Sequence, residues 1–130
     1  MNGDWKRHVP QRFLRLIVLP WTLCLIAGSL SPSYVKERLG THTHHRPYHF
    51  ISFGATALLF LLISNTRRQE WVSVFAVFGL GLILETLQCL LFDGYMEWWD
   101  IRDDALGISI TFLLFRMADR WLSASREADT

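Results

Sequence analysis

Residues 71–92, WVSVFAVFGLGLILETLQCLLF, form the longest apolar stretch of the chain and contain a single carboxylate, Glu85. As an α-helix rising about 1.5 Å per residue, this stretch is long enough to cross a hydrocarbon core about 30 Å thick. Further apolar stretches lie at 16–30, 50–63 and 105–115. A water-soluble domain would instead interleave apolar and polar residues at helix or strand period. The sequence therefore predicts an integral membrane protein.

The predicted fold is all-α, a membrane bundle of four transmembrane helices at about 13–30, 48–64, 71–92 and 104–122. It divides the chain into a basic amino-terminal segment, a membrane domain and a polar carboxyl-terminal tail, at 1–12, 13–122 and 123–130. The fourth span has the shortest uninterrupted apolar part, eleven residues before Arg116. We expect Arg116 and Arg120 to extend to the membrane surface.

The first apolar stretch has a second interpretation. Basic residues precede it, and Ala27-Gly28-Ser29 is a weak cleavage site, so it also resembles a secretory signal peptide. Cleavage would leave three spans and remove the basic segment.

The charges predict a topology and argue against nucleic acid as a partner. A net charge of +1 leaves no large basic face. Nine of the 13 lysines and arginines fall in the two termini and the connection at 65–70, and four fall near the connections at 31–47 and 93–103. Cytoplasmic segments carry the excess of these residues, so both termini are expected in the cytoplasm. The two cysteines, Cys24 and Cys89, lie in apolar stretches and are interpreted as small hydrophobic residues.

Polar residues inside the spans are the candidate functional positions. Glu85 lies about 10 Å below the end of its span, where an unpaired carboxylate costs about 3 kcal/mol. Gly81 and Gln88 share its helix face. Because successive spans alternate in direction, five polar side chains are predicted to meet near one side of the membrane: His49, Glu85, Gln88, Asp100 and Asp104.

Each of these positions also has a structural interpretation. Glu85 and Gln88 could form interhelical hydrogen bonds with His49 or Thr56. Asp100 and Asp103 could cap the last helix. Trp98 and Trp99 fit membrane-interface anchors better than a stacking platform. Three loop histidines lack the preset geometry of a closed zinc site: His42, His44 and His45.

An ordered set of motifs runs through residues 46–111: Arg46, His49-Phe50, Glu85-x-x-Gln88 and Glu97-x-x-Asp100-x-x-x-Asp104-x-x-Gly107. The set resembles the VanZ-like family of small bacterial membrane proteins, whose relatives include a protein associated with teicoplanin resistance. The family has a basic residue before His-Phe, Glu-x-x-Gln in the next span and a charged motif entering the last. The chain differs in having Phe53, Gly94, Asp104 and Thr111 where the family has tyrosine, arginine, asparagine and a small residue. Arg46 or Arg102 is a candidate substitute for that arginine.

The resemblance implies a multi-pass protein of the bacterial cytoplasmic membrane. The first hypothesis is that it binds or modifies a lipid-linked or cell-envelope component at the outer face of that membrane. Glu85 would act as general acid or base with His49 as its partner, and Asp100 with Asp104 would hold a divalent cation. The remaining binding candidates are Arg46, Gln88, Glu97, Trp98 and Trp99.

The second hypothesis is a non-catalytic interaction subunit or small transport component. Glu85 and His49 would then form a structural pair or a proton relay, and transport would require oligomers. The sequence contains no His-Glu-x-x-His or Gly-x-Ser-x-Gly motif that would define a reaction. It therefore leaves open whether the protein is an enzyme, and it predicts no particular cofactor.

Overall fold

The described part of the protein is mostly α-helical. The computed structural model describes residues 10–31, 45–92 and 95–128, with the side chains of 45–46 and 126–128 left aside. These ranges contain no β-strand and four helices: α1 Gln11–Ser29, α2 His45–Ile63, α3 Arg67–Leu91 and α4 Trp98–Ala128. The all-α prediction is confirmed.

Two of the four helices are long and apolar enough to cross a membrane. These are α1, with 19 residues, and α3, with 25. The apolar part of α2 is shorter and covers Pro47–Ile63. Helix α4 has 31 residues but carries charged side chains along its length.

Helix α3 begins earlier than the apolar pattern suggests. Thr66 forms a capping box with Gln69: its Oγ1 accepts from the Gln69 backbone N–H at 3.2 Å, and Gln69 Oε1 accepts from the Thr66 backbone N–H at 3.2 Å. These bonds satisfy backbone donors that a helix start otherwise leaves unpaired. The expected connection at 65–70 is therefore shorter, and the helix starts at Arg67.

Helix α4 extends beyond its predicted bounds at both ends. It was expected over 104–122, yet it starts at Trp98 and continues to Ala128, through most of the predicted polar tail. The apolar pattern predicts burial of a stretch and gives no information on where helical hydrogen bonding stops.

Helices α2 and α4 run side by side in the same direction and approach closely. A Cβ atom added at Gly107 would lie 2.3 Å from the Phe50 carbonyl oxygen, and one at Gly54 would lie 3.0 Å from Thr111 Oγ1. Glycines at a helix crossing permit this approach of backbones. The contact fixes the register that brings α2 beside the start of α4.

Helices α1 and α3 complete the packing. The buried apolar core lies mainly between α2, α3 and α4: Phe53, Ala57, Val77, Leu84 and Ile108. Helix α1 packs on α2, where Gln11 Nε2 donates to the Leu62 carbonyl at 3.1 Å and Trp21 Nε1 donates to Thr56 Oγ1 at 2.9 Å. Val18 is the one residue of α1 that is buried.

The exterior of these helices is apolar, whereas much of the interior is polar. Leu16, Phe75 and Leu90 are 72%, 66% and 71% exposed. Eight polar or charged side chains of the described residues are buried: Thr56, Ser64, Glu70, Glu85, Asp100, Asp103, Asp104 and Asp119. Large exposed apolar patches mark surfaces that face another apolar phase or a partner.

Candidate functional site

Three helices bring four ionisable side chains together at one end of the bundle. His49 comes from α2, Glu85 from α3, and Asp100 and Asp104 from α4; we call these four residues the polar cluster. Glu85 is 6% exposed and both aspartates are 2% exposed, and the His49 side chain is 10% exposed. The sequence predicts that five side chains meet here, and the structure brings four of them together.

His49 is held between the two aspartates of α4. Its Nδ1 lies 3.0 Å from Asp104 Oδ1, and its Nε2 lies 3.5 Å from Asp100 Oδ2. An ionised carboxylate only accepts hydrogen bonds, so the shorter contact favours a proton on Nδ1. The ring also stacks on Phe53, with centroids 6.1 Å apart and planes inclined by 11°. These contacts fix the orientation of the imidazole and direct Nε2 toward Asp100.

The second oxygen of Asp104 is buried in a space that a glycine leaves open. Asp104 Oδ2 has no hydrogen-bond partner among the described residues. A Cβ added at Gly81 would lie 3.0 Å from this oxygen and 3.2 Å from the Phe53 ring. Gly81 precedes Glu85 by one helical turn, so this face of α3 points into the bundle, as its polar pattern predicts.

Glu85 completes a group of potential metal ligands. One ligand atom from each of His49, Glu85 and Asp100 lies within 4.8 Å of the other two. The sequence paired Asp100 with Asp104 as a cation site, and the structure instead groups Asp100 with His49 and Glu85. The reason is geometric, because Asp104 Oδ1 contacts His49 Nδ1.

Other candidates lie around the polar cluster. Gln88 is half-buried one turn beyond Glu85, and the Glu97 side chain is exposed. The Glu97 carbonyl accepts from the Asp100 backbone N–H at 3.0 Å. Trp98 and Trp99 are 71% and 57% exposed, as interface anchors would be. The Arg46 side chain and the three loop histidines lie outside what the structure describes: His42, His44 and the side chain of His45.

Arg102, a candidate partner for the carboxylates, pairs with its neighbour Asp103. Its Nε and Nη2 donate to Asp103 Oδ1 at 2.9 and 2.6 Å, and its guanidinium lies 4.6 Å from the centre of the Trp99 ring. The proposed cap at Asp103 is wrong, since α4 begins at Trp98 and Asp103 lies in its second turn. Asp100 lies in the first turn, where a carboxylate complements the helix dipole.

Arg116 is also placed differently from its prediction. Instead of extending to the membrane surface, its side chain is 15% exposed, and its Nη1 lies 3.1 Å from Glu70 Oε2 and 3.6 Å from Asp119 Oδ2. This ion-pair group joins the start of α3 to α4 at the end of the bundle opposite the polar cluster. Sequence reasoning missed it because Glu70 falls in a segment interpreted as a connection.

Thr56 has a partner other than the one considered from sequence. It was a possible hydrogen-bond partner of Glu85, but its Oγ1 accepts from Trp21 Nε1 and donates to the Ser52 carbonyl at 2.7 Å. Thr56 therefore joins α1 to α2 and is not part of the polar cluster.

Comparisons of the chain with protein-family models, with curated proteins and with solved structures find no match. The polar cluster and its place in the bundle are therefore the features that bear on function.

Proposed function

We propose that this chain is a VanZ-like, four-span integral protein of the bacterial cytoplasmic membrane with both termini in the cytoplasm. It binds or modifies a lipid-linked or cell-envelope component at the outer face through the polar cluster. The observation that carries the proposal is the convergence of His49, Glu85, Asp100 and Asp104 from three helices at one end of an apolar bundle.

The surface of the bundle supports a membrane location. Helices α1 and α3 have the length and apolarity of transmembrane segments. Large exposed apolar residues cover the described helices, and water would leave these side chains without the burial that stabilises a soluble fold. The contacts of α1 with α2 through Gln11 and Trp21 favour a retained first span over a signal peptide.

The intimate packing of α2 with α4 supports crossing by these two helices as well. The α2–α4 contact at Gly54 and Gly107 has the close backbone approach common between transmembrane helices. Arg116, the charge that interrupts the apolar part of α4, is neutralised by Glu70 and Asp119. Pairing of this kind is how ionisable residues are accommodated in spans.

The chemistry of the polar cluster fits recognition of a polar head group. Carboxylate oxygens accept hydrogen bonds from hydroxyl and ammonium groups, which sugars and amino head groups of envelope components carry. Trp98 and Trp99 are exposed beside the start of α4, at the level where aromatic residues meet lipid head groups. A catalytic role would use Glu85 as acid or base, with His49 held in place by Asp104.

One observation favours a second, non-catalytic function. The hydrogen bond between His49 and Asp104 links α2 to α4 at 3.0 Å, and such a bond can serve as a structural pair or as part of a proton relay in an interaction subunit or small transporter. In that case the polar cluster stabilises the bundle, and substituting any one of its members lowers the stability of the protein.

A paired measurement separates the two functions. Wild type, Glu85→Gln and the control Thr86→Ala, which alters an exposed neighbour, are purified in detergent. Each is incubated with a total bacterial lipid extract and examined by thermal unfolding and by native mass spectrometry. The proposal predicts that Glu85→Gln unfolds near the wild-type temperature and loses the bound lipid. Equal loss of stability and binding would support the structural role and contradict the binding function.

A further inference from the structure

We propose that His49, Glu85 and Asp100 bind one divalent transition-metal ion such as Zn²⁺, with Asp104 orienting His49. This inference concerns the same polar cluster as the proposed function and rests on the position given to it there. It does not depend on the identity of the envelope component.

The spacing of the three ligand atoms is close to that of a zinc site. In a tetrahedral site with bonds of about 2.0–2.2 Å, neighbouring ligand atoms lie roughly 3.3–3.6 Å apart. His49 Nε2 and Asp100 Oδ2 are 3.5 Å apart, which already matches this spacing. With Glu85 included, no two of the three ligand atoms are more than 4.8 Å apart. Glu85 would therefore have to approach by up to about 1.5 Å, a shift within the reach of its rotatable side chain.

The orientation of His49 also fits that of a metal ligand. Metal-binding imidazoles use one nitrogen for the metal and donate a hydrogen bond from the other to a carboxylate or carbonyl. Asp104 Oδ1 lies 3.0 Å from His49 Nδ1, and the Nε2 lone pair then faces Asp100. Stacking on Phe53 also restrains the ring. Asp104 is thus a positioning residue.

The remaining oxygen of Asp104 also favours positive charge nearby. The Asp104 side chain is 2% exposed, and Oδ2 has no hydrogen-bond partner among the described residues. A buried acceptor without a donor is destabilising, and more so when it is charged. A cation bound to His49 Nε2 would lie on the far side of the ring from Asp104, and its charge would lower the cost of keeping this carboxylate ionised.

Two of the ligands are carboxylates that repel one another. The ligand atoms of Glu85 and Asp100 lie within 4.8 Å of each other, and like charges repel strongly in a low dielectric. A divalent cation reduces this repulsion by binding both.

The donor set indicates the class of metal. One imidazole nitrogen with two carboxylate oxygens suits Zn²⁺ or another late divalent transition metal, whereas Mg²⁺ and Ca²⁺ prefer oxygen ligands alone. Three protein ligands leave a further coordination position, as in zinc sites that also bind water or a ligand. In this protein that position would face an oxygen of the bound envelope component.

Zinc binding by the full chain in detergent tests the proposal. Chelator-treated protein is titrated with ZnCl₂ by isothermal calorimetry, and bound metal is counted by mass spectrometry. We expect one Zn²⁺ per chain, a loss of at least about 100-fold in affinity for Glu85→Gln, and a loss of roughly 10–100-fold for Asp104→Asn. Asp103→Asn is the matched control, because it changes a buried neighbouring aspartate that pairs with Arg102, and should bind as the wild type does.

Two further measurements keep the result interpretable. A variant with alanine at His42, His44 and His45 removes the loop histidines and should retain the zinc. Substitution by Co²⁺ should give the intense visible absorption of a four-coordinate site in the wild type, and His49→Ala should lose it. Unchanged affinity in folded Glu85→Gln, or loss of zinc with the loop histidines, would overturn the proposal.

The outcome is distinguishable from failure of the proposed function. Zinc binding without any lipid binding would contradict the envelope function and leave the metal site standing. Lipid binding that persists in metal-depleted protein, with no stoichiometric zinc in the wild type, would contradict the metal site alone.

Discussion

Replacing Gly107 by alanine is expected to separate α2 from α4 and to destabilise the bundle. The added Cβ would lie 2.3 Å from the Phe50 carbonyl oxygen and 3.2 Å from its Cα. An ordinary contact needs about 3.4 Å, so the helices must move apart by roughly 1 Å at this crossing. Overpacking of this kind costs about 1–3 kcal/mol. The added methyl group would contact a backbone atom of Phe50, so no rotation of a side chain can relieve the contact.

Gly79→Ala is the matched control for this change. It adds the same methyl group to another transmembrane-type helix, where nothing lies within 4 Å of the new atom. Alanine has a higher helix propensity than glycine by up to about 1 kcal/mol, so this variant should be as stable as the wild type or more so. The stability of Gly54→Ala should lie between those of Gly107→Ala and Gly79→Ala. The nearest neighbour of its added Cβ is Thr111 Oγ1 at 3.0 Å, which belongs to a side chain and can move.

Unfolding of the three variants in detergent, followed by circular dichroism against temperature or denaturant, gives the ranking. We expect Gly107→Ala to unfold first, then Gly54→Ala, then Gly79→Ala with the wild type. A Gly107→Ala variant as stable as Gly79→Ala would show that α2 and α4 do not approach at this crossing, and the described register would be refuted.

Two other contacts give predictions that are tested by unfolding in the same detergent. Glu70→Ala and Arg116→Ala should each destabilise the protein by about 2 kcal/mol, since hydrogen bonds between charged groups contribute about 1.5–3 kcal/mol; their effects should not add in the double variant, and Arg68→Ala at an exposed position is the control. Additive losses would mean that no such ion pair forms. Trp21→Phe removes the indole donor to Thr56 and should cost about 1 kcal/mol. Intact-mass measurement should find α1 retained in the purified chain, and loss of residues 1–29 would support the signal peptide instead.

The helices were predictable because long apolar stretches are direct signals of buried or membrane-spanning helices in sequence. Each apolar stretch contains a helix, and polar positions within them, Glu85 and His49 among them, turn toward the interior of the bundle. Alternation of direction along the chain was sufficient to place them at one end. The convergence of the polar cluster follows from these two considerations alone.

The details of the polar cluster were beyond prediction, because they depend on rotation of each helix about its axis. Sequence spacing places Asp100 and Asp104 on one face of α4, but it does not show that Asp104 contacts Nδ1 of His49 while Asp100 faces Nε2. That division between the two aspartates depends on the α2–α4 register, which the close approach at Gly107 determines.

The pairing of Glu70 with Arg116 was missed for a different reason. The two residues are 46 positions apart and lie at the margins of their apolar stretches, where charge is usually attributed to solvent or lipid head groups. The capping box at Thr66 is what brings Glu70 into α3, and it has a sequence signature in Thr66-x-x-Gln69. Recognising that signature would have placed the helix start correctly.

Cysteine labelling in intact cells tests the four-span arrangement most directly. In a background with Cys24 and Cys89 replaced by alanine, single cysteines are introduced at Tyr95, which is 96% exposed, and at the exposed position Arg68. A membrane-impermeant maleimide should label Tyr95→Cys in whole cells and Arg68→Cys only after lysis. Labelling of both positions from the outside, or recovery of the protein without detergent in the soluble fraction, would contradict the account.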